Sequence, residues 1–170
     1  VKVGHAGTLD PLASGLLILC TGKMTKQIDN YQAQEKEYTG IITLGATTPS
    51  FDLETEIDAS FSIDNLNETI IKEAAAQLTG VLQQMPPAHS AKRIDGERAY
   101  LKARRGEKVE VRPREVNISK FEITAVEFLE KFVHVSFRVV CSKGTYIRSL
   151  ARDLGEKLTN GGHLTQLVRT

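Results

Sequence analysis

An aspartate lies in a short polar loop near the start of the chain, within the sequence GHAGTLDPLASG that begins at Gly4. Because Asp10 precedes Pro11, helical backbone is disfavoured at the aspartate, and its carboxylate is held in an extended or turn conformation. Glycines on both sides allow a ligand or a second backbone to approach closely. A carboxylate in this setting could bind a ligand or attack it as a nucleophile; the alternative interpretation is an ordinary Asp-Pro turn.

The same loop does not match the phosphate-binding motifs of nucleotide-dependent enzymes. It lacks the GK[ST] ending of a Walker loop and the glycine spacing of a dinucleotide fingerprint. The two cysteines, Cys20 and Cys141, each lie in an apolar run, which predicts buried reduced thiols rather than a disulfide or a nucleophile. The four histidines are scattered, without Cys/His pairing at metal-ligand spacing, so the sequence favours a site without a metal.

A basic segment lies between Lys92 and Arg114, where there are nine basic residues and four acidic ones. The rest of the chain has 13 basic and 17 acidic residues, so the net charge of +1 hides an asymmetry. The segment also contains prolines and glycines, which predict an excursion from the main core over residues 84–115. A basic arm on an acidic body indicates contact with phosphates, and the alternative is a solvated charged surface.

Length and composition predict one globular domain, because the chain has 170 residues of which 41% are hydrophobic and 25% charged. The longest apolar run, Leu16–Cys20, is far shorter than the roughly 20 residues that span a bilayer. No signal segment opens the chain, so we expect a cytoplasmic protein with no membrane contact. Because the first residue is Val1, we expect the chain to be a piece of a longer protein.

The elements that would position Asp10 alternate between strands and helices. A polar connection after the second strand predicts a surface loop, and two strands rich in Val, Ile and Phe after the basic segment predict an antiparallel pair. This order predicts a mixed α/β or α+β domain built on a mostly antiparallel sheet. Leu16–Cys20 predicts a short buried strand, and the other predicted strands are KEYTGIITLG, NISKFEITAVEFLE and the cleanly alternating KFVHVSFRVVCS. The predicted helices lie in GKMTKQIDNYQ, LNETIIKEAAAQLTG and KGTYIRSLARDLGEKL, with a short helix around Arg98–Arg105 in the basic segment.

An arginine lies near the start of the last predicted helix. In KGTYIRSLARDLGEKL an apolar stripe that includes Ile147, Leu150 and Leu154 faces the core, and Thr145 is available to cap the helix. Arg148 lies just off that stripe. The helix macrodipole makes this N-terminal position a poor one for a merely structural cation.

Together these motifs resemble the TruB-type tRNA pseudouridine synthases. GHAGTLDPLASGLL is similar to the family's catalytic motif, G-H-x-G-x-L-D-P-x-A-x-G-L-L. KEYTGIITLGATTPSFD resembles its K-x-Y segment, PPAHSAKRIDGERAYLKARRGE its RNA-binding insertion, SKGTYIRSLARDLG its G-T-Y-I-R helix start, and GGHLTQLVRT its closing H-L-x-x-L-R-R-T motif. The resemblance implies the pseudouridine synthase fold, α+β with a mixed, mostly antiparallel sheet flanked by helices. It also implies one catalytic domain, residues 1–170, trimmed at both ends, with an inserted RNA-binding arm over residues 84–115.

The resemblance implies a role for each matched residue. Asp10 is the nucleophile that attacks the target nucleoside, Tyr38 stacks on the flipped uracil, and Arg148 pairs with the aspartate. Leu167 walls the base pocket, and His5 helps to displace the target nucleotide. The other implied substrate contacts are Gly7, Leu9 and Arg169 in the core and Lys92, Arg93, Arg104 and Arg105 in the arm.

The implied reaction converts uridine to pseudouridine at position 55 of the tRNA T loop, by replacing the C1′–N1 bond with a C1′–C5 bond. A carboxylate suits attack at C1′ or at C6 of the ring, and a nearby arginine favours the ionised form of a carboxylate. The pair of acids used in glycoside hydrolysis would instead deliver water. The resemblance implies no metal or organic cofactor and no protein partner, and we expect a monomer that binds the T stem-loop of tRNA.

The sequence departs from the family pattern at three positions. His89 stands where an aromatic residue, often tyrosine, is usual, Arg93 replaces a lysine, and Val168 replaces an arginine. The family's K-P-x-G segment and its C-terminal RNA-binding region are also missing from the sequence. Two alternatives stay open: an RNA-binding or RNA-chaperone module that only captures a flipped base, and a synthase of the same fold that acts on another RNA.

Overall fold

A computed structural model of the chain describes residues 1–90 and 93–170. Alternating hydrophobic residues form the longer strands. The strands are β1 (Val3–Ala6), β2 (Ser14–Gly15), β3 (Ile18–Thr21), β4 (Lys36–Leu44), β5 (Ala46–Thr47), β6 (Ala59–Ser60), β7 (Gly80–Gln84), β8 (Arg93–Ile94), β9 (Glu97–Arg98), β10 (Arg114–Phe128), β11 (Val133–Cys141) and β12 (Gly162–Arg169).

The centre of the fold is a six-stranded sheet with the strand order β2, β12, β4, β11, β10, β7. The edge strand β2 runs parallel to β12, and every other neighbouring pair in this sheet is antiparallel. Short antiparallel ribbons join β1 to β3, β5 to β6 and β8 to β9. The mixed, mostly antiparallel sheet predicted from the sequence is therefore confirmed.

Helices flank the sheet, as predicted. Helix α4 packs against β12, helix α2 packs against β10, and the two helices touch each other. The side chain of Asn67 caps α2 by accepting a hydrogen bond from the backbone N–H of Ile70 at 2.9 Å. Within the described residues, no helix is both long and apolar enough to cross a membrane. The helices are α1 (Ile28–Ala33), α2 (Glu68–Gln77), α3 (Ala99–Arg104) and α4 (Ile147–Lys157), and a 3-10 helix over Gly22–Gln27 leads into α1.

The core lies between the sheet and these two helices. In β11 the inward residues alternate as predicted, and Val135, Phe137 and Val139 are fully buried. The predicted stripe of α4 is buried as well, including Leu150 and Leu154. Each such side chain contributes about 1.5–3 kcal/mol relative to an exposed one. The packing holds the start of α4 at the end of β11.

The predicted buried strand Leu16–Cys20 is wrong in its burial. The strand runs instead over Ile18–Thr21, and only Cys20 is buried, while Leu16, Leu17 and Leu19 are exposed. The reason is that β3 pairs with β1 in a two-stranded ribbon and is not part of the central sheet. An apolar run thus identifies a strand here without showing what covers it.

Two further details differ from the sequence predictions. Thr145 does not cap α4, because its hydroxyl donates a hydrogen bond to the carbonyl oxygen of Ser142 at 2.8 Å. The strand β12 was not predicted, because a bulge between Leu164 and Gln166 interrupts its alternation.

Candidate active site

The loop that carries Asp10 connects β1 to β2 and bends at Pro11. The backbone N–H of Ala13 donates a hydrogen bond to the carbonyl oxygen of Asp10 at 2.9 Å. The Asp-Pro turn, which was the alternative interpretation of the motif, is therefore present. Gly7 and Gly15, with φ of 88° and 105°, occupy the left-handed region that other residues rarely adopt. The turn leaves the side chain of Asp10 27% exposed in the wall of a cavity.

Arg148 meets Asp10 from the first turn of α4. Its Nε lies 3.0 Å from one carboxylate oxygen, and its Nη2 lies 3.0 Å from the other. The arginine is only 3% exposed. Two-point contacts between a guanidinium and a carboxylate are strong and fix the relative orientation of both groups. The structure thus brings together two predicted site residues that are 138 positions apart in the sequence.

Behind this pair lies a second carboxylate that the sequence analysis missed. Asp52 is 4% exposed, and its Oδ2 lies 3.9 Å from Nε of Arg148. Ser50 Oγ and the backbone N–H of Glu54 donate to the other oxygen of Asp52, at 2.5 and 2.9 Å. The loop predicted to lie on the surface therefore has a buried polar part. No periodicity signals such burial, because it depends on the guanidinium that α4 brings to the loop.

The remaining donor of Arg148, Nη1, binds backbone carbonyl oxygens. It lies 2.7 Å from the oxygen of His89 and 3.4 Å from that of Ser50. His89 stands where the excursion over residues 84–115 begins. The guanidinium therefore connects Asp10, the loop of Ser50 and the root of the excursion.

Tyr38 and Leu167 line the same cavity from neighbouring strands. Tyr38 lies on β4 opposite Arg169 of β12, and Leu167 lies on β12 opposite Gly40 of β4. Both side chains are buried, at 9% and 6% exposure. Burial raises the pKa of Tyr38, while the neighbouring guanidinium of Arg169 acts in the opposite direction. The phenol therefore stays protonated at neutral pH.

The cavity has a volume of about 550 Å³, within the range of about 300–1,000 Å³ typical of small-molecule sites. Gly7, Leu9 and Asp10 line one side, and the start of α4 lines another. Five cationic residues and two acidic ones contribute to its lining, so the cavity suits an anionic ligand. These charged residues are Lys36, Arg114, Lys143, Arg148 and Arg169, with Asp10 and Glu115.

Lys36 and Arg169 lie beside the Asp10 loop, and both use their donors on backbone oxygens. Lys36 Nζ donates to Gln32 and Gln34, at 2.7 and 3.0 Å. Burial and, after it, the positive charge of Arg169 lower the pKa of Lys36. Arg169, predicted as a substrate contact, donates from Nη2 to the oxygen of Gly7 at 2.9 Å and is 5% exposed.

The sequence matches the TruB family pseudouridylate synthase (N terminal domain) over residues 1–147. This chain belongs to the TruB family of pseudouridylate synthases. The resemblance inferred from the motifs is therefore confirmed, and with it the enzyme class, an isomerase.

Individual relatives agree with this assignment. The tRNA pseudouridine synthase B of Flavobacterium johnsoniae is 55% identical over 169 residues, which cover 99% of this TruB-family chain and 72% of the relative. The protein of the same name from Bacteroides thetaiotaomicron is 51% identical, covering 100% of this chain and 71% of the relative. A chain in the crystal structure of a Cbf5-Nop10-Gar1 complex has a TM-score of 0.71 at 28% identity. This chain is fully covered in that comparison and spans 40% of the length of the solved chain.

The histidine of the TruB motif, His5, lies away from the cavity lining. It is exposed on β1, where it pairs with Leu19 of β3. The structure therefore brings Asp10, Tyr38 and Arg148 together but leaves His5 on the outer ribbon.

The basic excursion of this TruB-family chain starts and ends at the edge of the sheet. Gln84 at the end of β7 pairs with Arg114 at the start of β10, so both ends are anchored next to each other. The predicted short helix around Arg98–Arg105 is present as α3. Strands β8 and β9 and helix α3 lie between the two ends.

The predicted arm cations differ in their surroundings. Arg104 pairs with Glu54, and Arg105 lies 2.7 Å from both Glu97 and Glu107. Exposed ion pairs of this kind contribute only about 0–1 kcal/mol, so phosphates can compete for these arginines. Arg93 is exposed on β8, and Lys92 lies outside the described residues.

The cysteines are free and buried, as predicted. Burial raises the pKa of Cys141 to about 11, which keeps its thiol protonated at neutral pH. Across the described ranges, no group of three or more His, Cys, Asp or Glu side chains could hold a metal ion.

Proposed function

We propose that this chain converts uridine to pseudouridine in tRNA, with Asp10 as the nucleophile. The observation that carries the proposal is the two-point contact between Arg148 and Asp10 at the wall of a cavity of about 550 Å³. A contact of this kind aims a single carboxylate at one point of a bound nucleoside. Arg148 thus orients the attacking group, and Asp10 supplies it.

The reaction breaks the bond from C1′ to N1 and forms a bond from C1′ to C5. In one route the carboxylate attacks C1′, and the electron pair of the C1′–N1 bond leaves with the uracil. C5 of the turned uracil then attacks C1′, releases the carboxylate and loses its proton. In the other route the carboxylate first adds to C6 of the ring. The C1′–N1 bond then breaks, C5 attacks C1′, and the carboxylate leaves C6 as C5 loses its proton. Both routes use one oriented carboxylate, and neither route consumes water.

Tyr38 and Leu167 form the pocket for the uracil. A base removed from its stack can stack again on the ring of Tyr38. Leu167 and the buried Ile147 form an apolar part of the cavity wall, which excludes water from the detached base. A protonated Tyr38 adds no negative charge beside Asp10, in keeping with the raised pKa of Tyr38.

Other parts of the chain bind the RNA around the target. Gly7 and Leu9 contact the nucleotide at the cavity, and His5 displaces it from the RNA loop. The excursion over residues 84–115 acts as an RNA-binding arm of this catalytic domain, because cations near a hairpin gain affinity from its phosphates. The proposed arm contacts are Lys92, Arg93, Arg104 and Arg105.

The relatives named tRNA pseudouridine synthase B support tRNA as the substrate. The motif resemblance supports uridine 55 of the T loop as the target. The proposed steps draw on side chains of this chain alone and need no cofactor.

Release of tritium from tRNA that carries [5-³H]uridine tests the proposal, because bond formation at C5 expels that hydrogen. We expect release with the parent chain and none with Asp10→Asn. Asp58→Asn is the matched control, since Asp58 is exposed and accepts a hydrogen bond only from Thr47 among the described contacts.

Two results would contradict the proposal. If the parent chain binds tRNA but releases no tritium, it acts as a capture module. If Asp10→Asn releases tritium at the parent rate, the nucleophile lies elsewhere. Mapping of pseudouridine in the product tRNA tests the position, and conversion at a uridine other than 55 would exclude the proposed target.

A further inference from the structure

The side chain of Arg169 closes the loop that carries Asp10. Its Nε donates to the carbonyl oxygen of Leu16 at 2.8 Å, and its Nη2 donates to that of Gly7 at 2.9 Å. These two carbonyl groups stand on either side of residues 8–15, with Asp10 between them. One guanidinium at the end of β12 therefore fixes both ends of the loop.

Backbone contacts reinforce this closure. The N–H of Leu16 donates to the carbonyl oxygen of Arg169 at 2.8 Å, and Gly15 pairs with Arg169 where β2 joins β12. A Cβ atom on Gly15 would lie 2.1 Å from the carbonyl oxygen of Arg169, closer than any real contact. A Cβ on Gly7 would lie 3.3 Å from Nη1 of the same arginine. Both glycines of the loop with positive φ thus stand where the chain approaches Arg169.

The environment of Arg169 is unusual for a residue that binds RNA. The side chain is 5% exposed, which leaves little surface for a phosphate. None of the ion pairs among the described residues includes Arg169, so its charge is directed to backbone carbonyl groups rather than to a carboxylate. Burying a cation costs free energy that these hydrogen bonds must offset. The hydrogen bonds of Arg169 therefore hold the backbone of the Asp10 loop in place.

We infer that Arg169 is a positioning residue for Asp10 and not a contact for the RNA, an assignment that rests on the proposed function. The two arginines divide the work: Arg148 orients the carboxylate of Asp10, and Arg169 holds the backbone from which that carboxylate projects. A nucleophile displaced by about 1 Å loses about 100-fold in rate. Loosening the loop therefore slows the chemical step and leaves RNA binding intact.

Arg169→Gln tests the inference, because glutamine has one amide group and cannot bind both carbonyl groups. We expect kcat for tritium release to fall about 100-fold, while KM and the Kd for tRNA stay within about threefold of the parent values. Arg138→Gln is the matched control. Arg138 lies on β11 and pairs with Glu37, so the same substitution there leaves the Asp10 loop untouched.

Hydrogen-deuterium exchange gives a second readout that does not depend on activity. The amides of Ala13 and Leu16 are hydrogen-bonded within or at the end of the loop. We expect a peptide covering residues 7–17 to exchange faster in Arg169→Gln, with peptides of β11 and α4 unchanged. Where the glutamine variant fails to fold, Arg169→Lys carries the test, since a lysine can reach one carbonyl group and should give an intermediate rate and exchange.

The possible results separate the inference from the proposed function. A weaker Kd for tRNA with unchanged kcat and exchange would make Arg169 an RNA contact and overturn the inference. Unchanged kcat, Kd and exchange would overturn it as well. If the parent chain releases no tritium, the proposed function fails, and faster exchange in the variant would still show that Arg169 holds the loop.

Discussion

Arg148 and Asp10 share two hydrogen bonds of 3.0 Å, made by a guanidinium that is almost completely buried and a carboxylate that is partly open to the cavity. The arginine stands in the first turn of α4, where the helix dipole disfavours a cation. Asp10, the nearby Asp52 and the carbonyl oxygen of His89 compensate for this position. The helix therefore depends on the Asp10 loop for a counter-charge, and the carboxylate of Asp10 depends on the helix for its orientation.

Arg148→Lys should reduce kcat about 100-fold, because an ammonium group cannot bind both oxygens of Asp10 in the forked geometry of a guanidinium. The binding of tRNA should change little. Tritium release at saturating tRNA, with Kd from filter binding, measures both quantities. Arg152→Lys, one turn further along α4, is the control, because Arg152 pairs with Asp153 and does not line the cavity. An Arg148→Lys variant with the kcat of the parent would contradict the proposal that the two-point contact of the guanidinium orients Asp10.

Asp52→Asn should reduce kcat about tenfold, equivalent to about 1.4 kcal/mol of transition-state stabilisation. Asparagine keeps the size of the side chain and an acceptor for Ser50, but it removes the negative charge 3.9 Å from Nε of Arg148. Arg148 is then less firmly held toward Asp10. The comparison with Asp58→Asn shows whether any loss comes from the buried charge, and equal rates in the two variants would exclude that cause.

The elements predicted best from the sequence are those whose pattern and environment agree. Strand β11 alternates because one face lies on the core, and α4 has an apolar stripe because one side packs on β12. Leu16 and Leu17 are of a residue type that usually fills the core, yet both are exposed. Only the sheet topology shows that the central sheet does not cover their side chains. For β12, the bulge after Leu164 hides the alternation.

For the site, the motif resemblance identified Asp10, Tyr38 and Arg148, and the fold brings all three to one cavity. Asp52 was missed because a buried carboxylate in a polar loop looks like a surface residue until its partner is known. The carbonyl oxygens of Gly7 and Leu16 have no sequence signal at all, since every residue has one. The orientation of Arg169 toward them is therefore a property of the tertiary structure alone.

His163→Asn should remove part of the pH dependence of stability. His163 is 3% exposed, and its Nδ1 is 2.9 Å from the carbonyl oxygen of Ala46. Burial lowers the pKa of His163 from the ordinary value of 6.5, opposed by the hydrogen bond to Ala46 and the charge of Asp52 and aided by His134. The unfolded chain therefore binds a proton first as the pH falls, so the stability contributed by the neutral ring is complete above pH 6.5 and is lost below it.

Urea unfolding of the parent chain and of His163→Asn over a range of pH measures this effect. Asparagine can still donate a hydrogen bond to Ala46 but does not titrate. We expect the free energy of unfolding of the parent to decrease more steeply than that of the variant as the pH falls through 6.5. Parallel pH profiles would mean that His163 is not the titrating group.

Gly155→Ala should destabilise the fold by about 1–3 kcal/mol, because overpacking at a tight contact displaces backbone. A Cβ atom on Gly155 of α4 would lie 2.1 Å from the backbone nitrogen of Gly162, at the start of β12. Helix propensity alone predicts the opposite sign, a gain of about 1 kcal/mol from replacing a helical glycine with alanine. The sign of the change in urea unfolding therefore decides whether the close approach of helix and strand limits this position.

Arg93→Gln should weaken tRNA binding and reduce its salt dependence. The side chain is exposed on β8 of the proposed arm, and each lost phosphate contact lowers the slope of log K against log salt by about 0.7–0.9. Filter binding between about 50 and 200 mM salt measures the slope over the range in which counterion release changes affinity strongly. Lys72→Gln is the control, since Lys72 lies on α2 and pairs with Glu68. A slope unchanged in Arg93→Gln, or reduced equally in both variants, would argue that the arm does not contact phosphates through this residue.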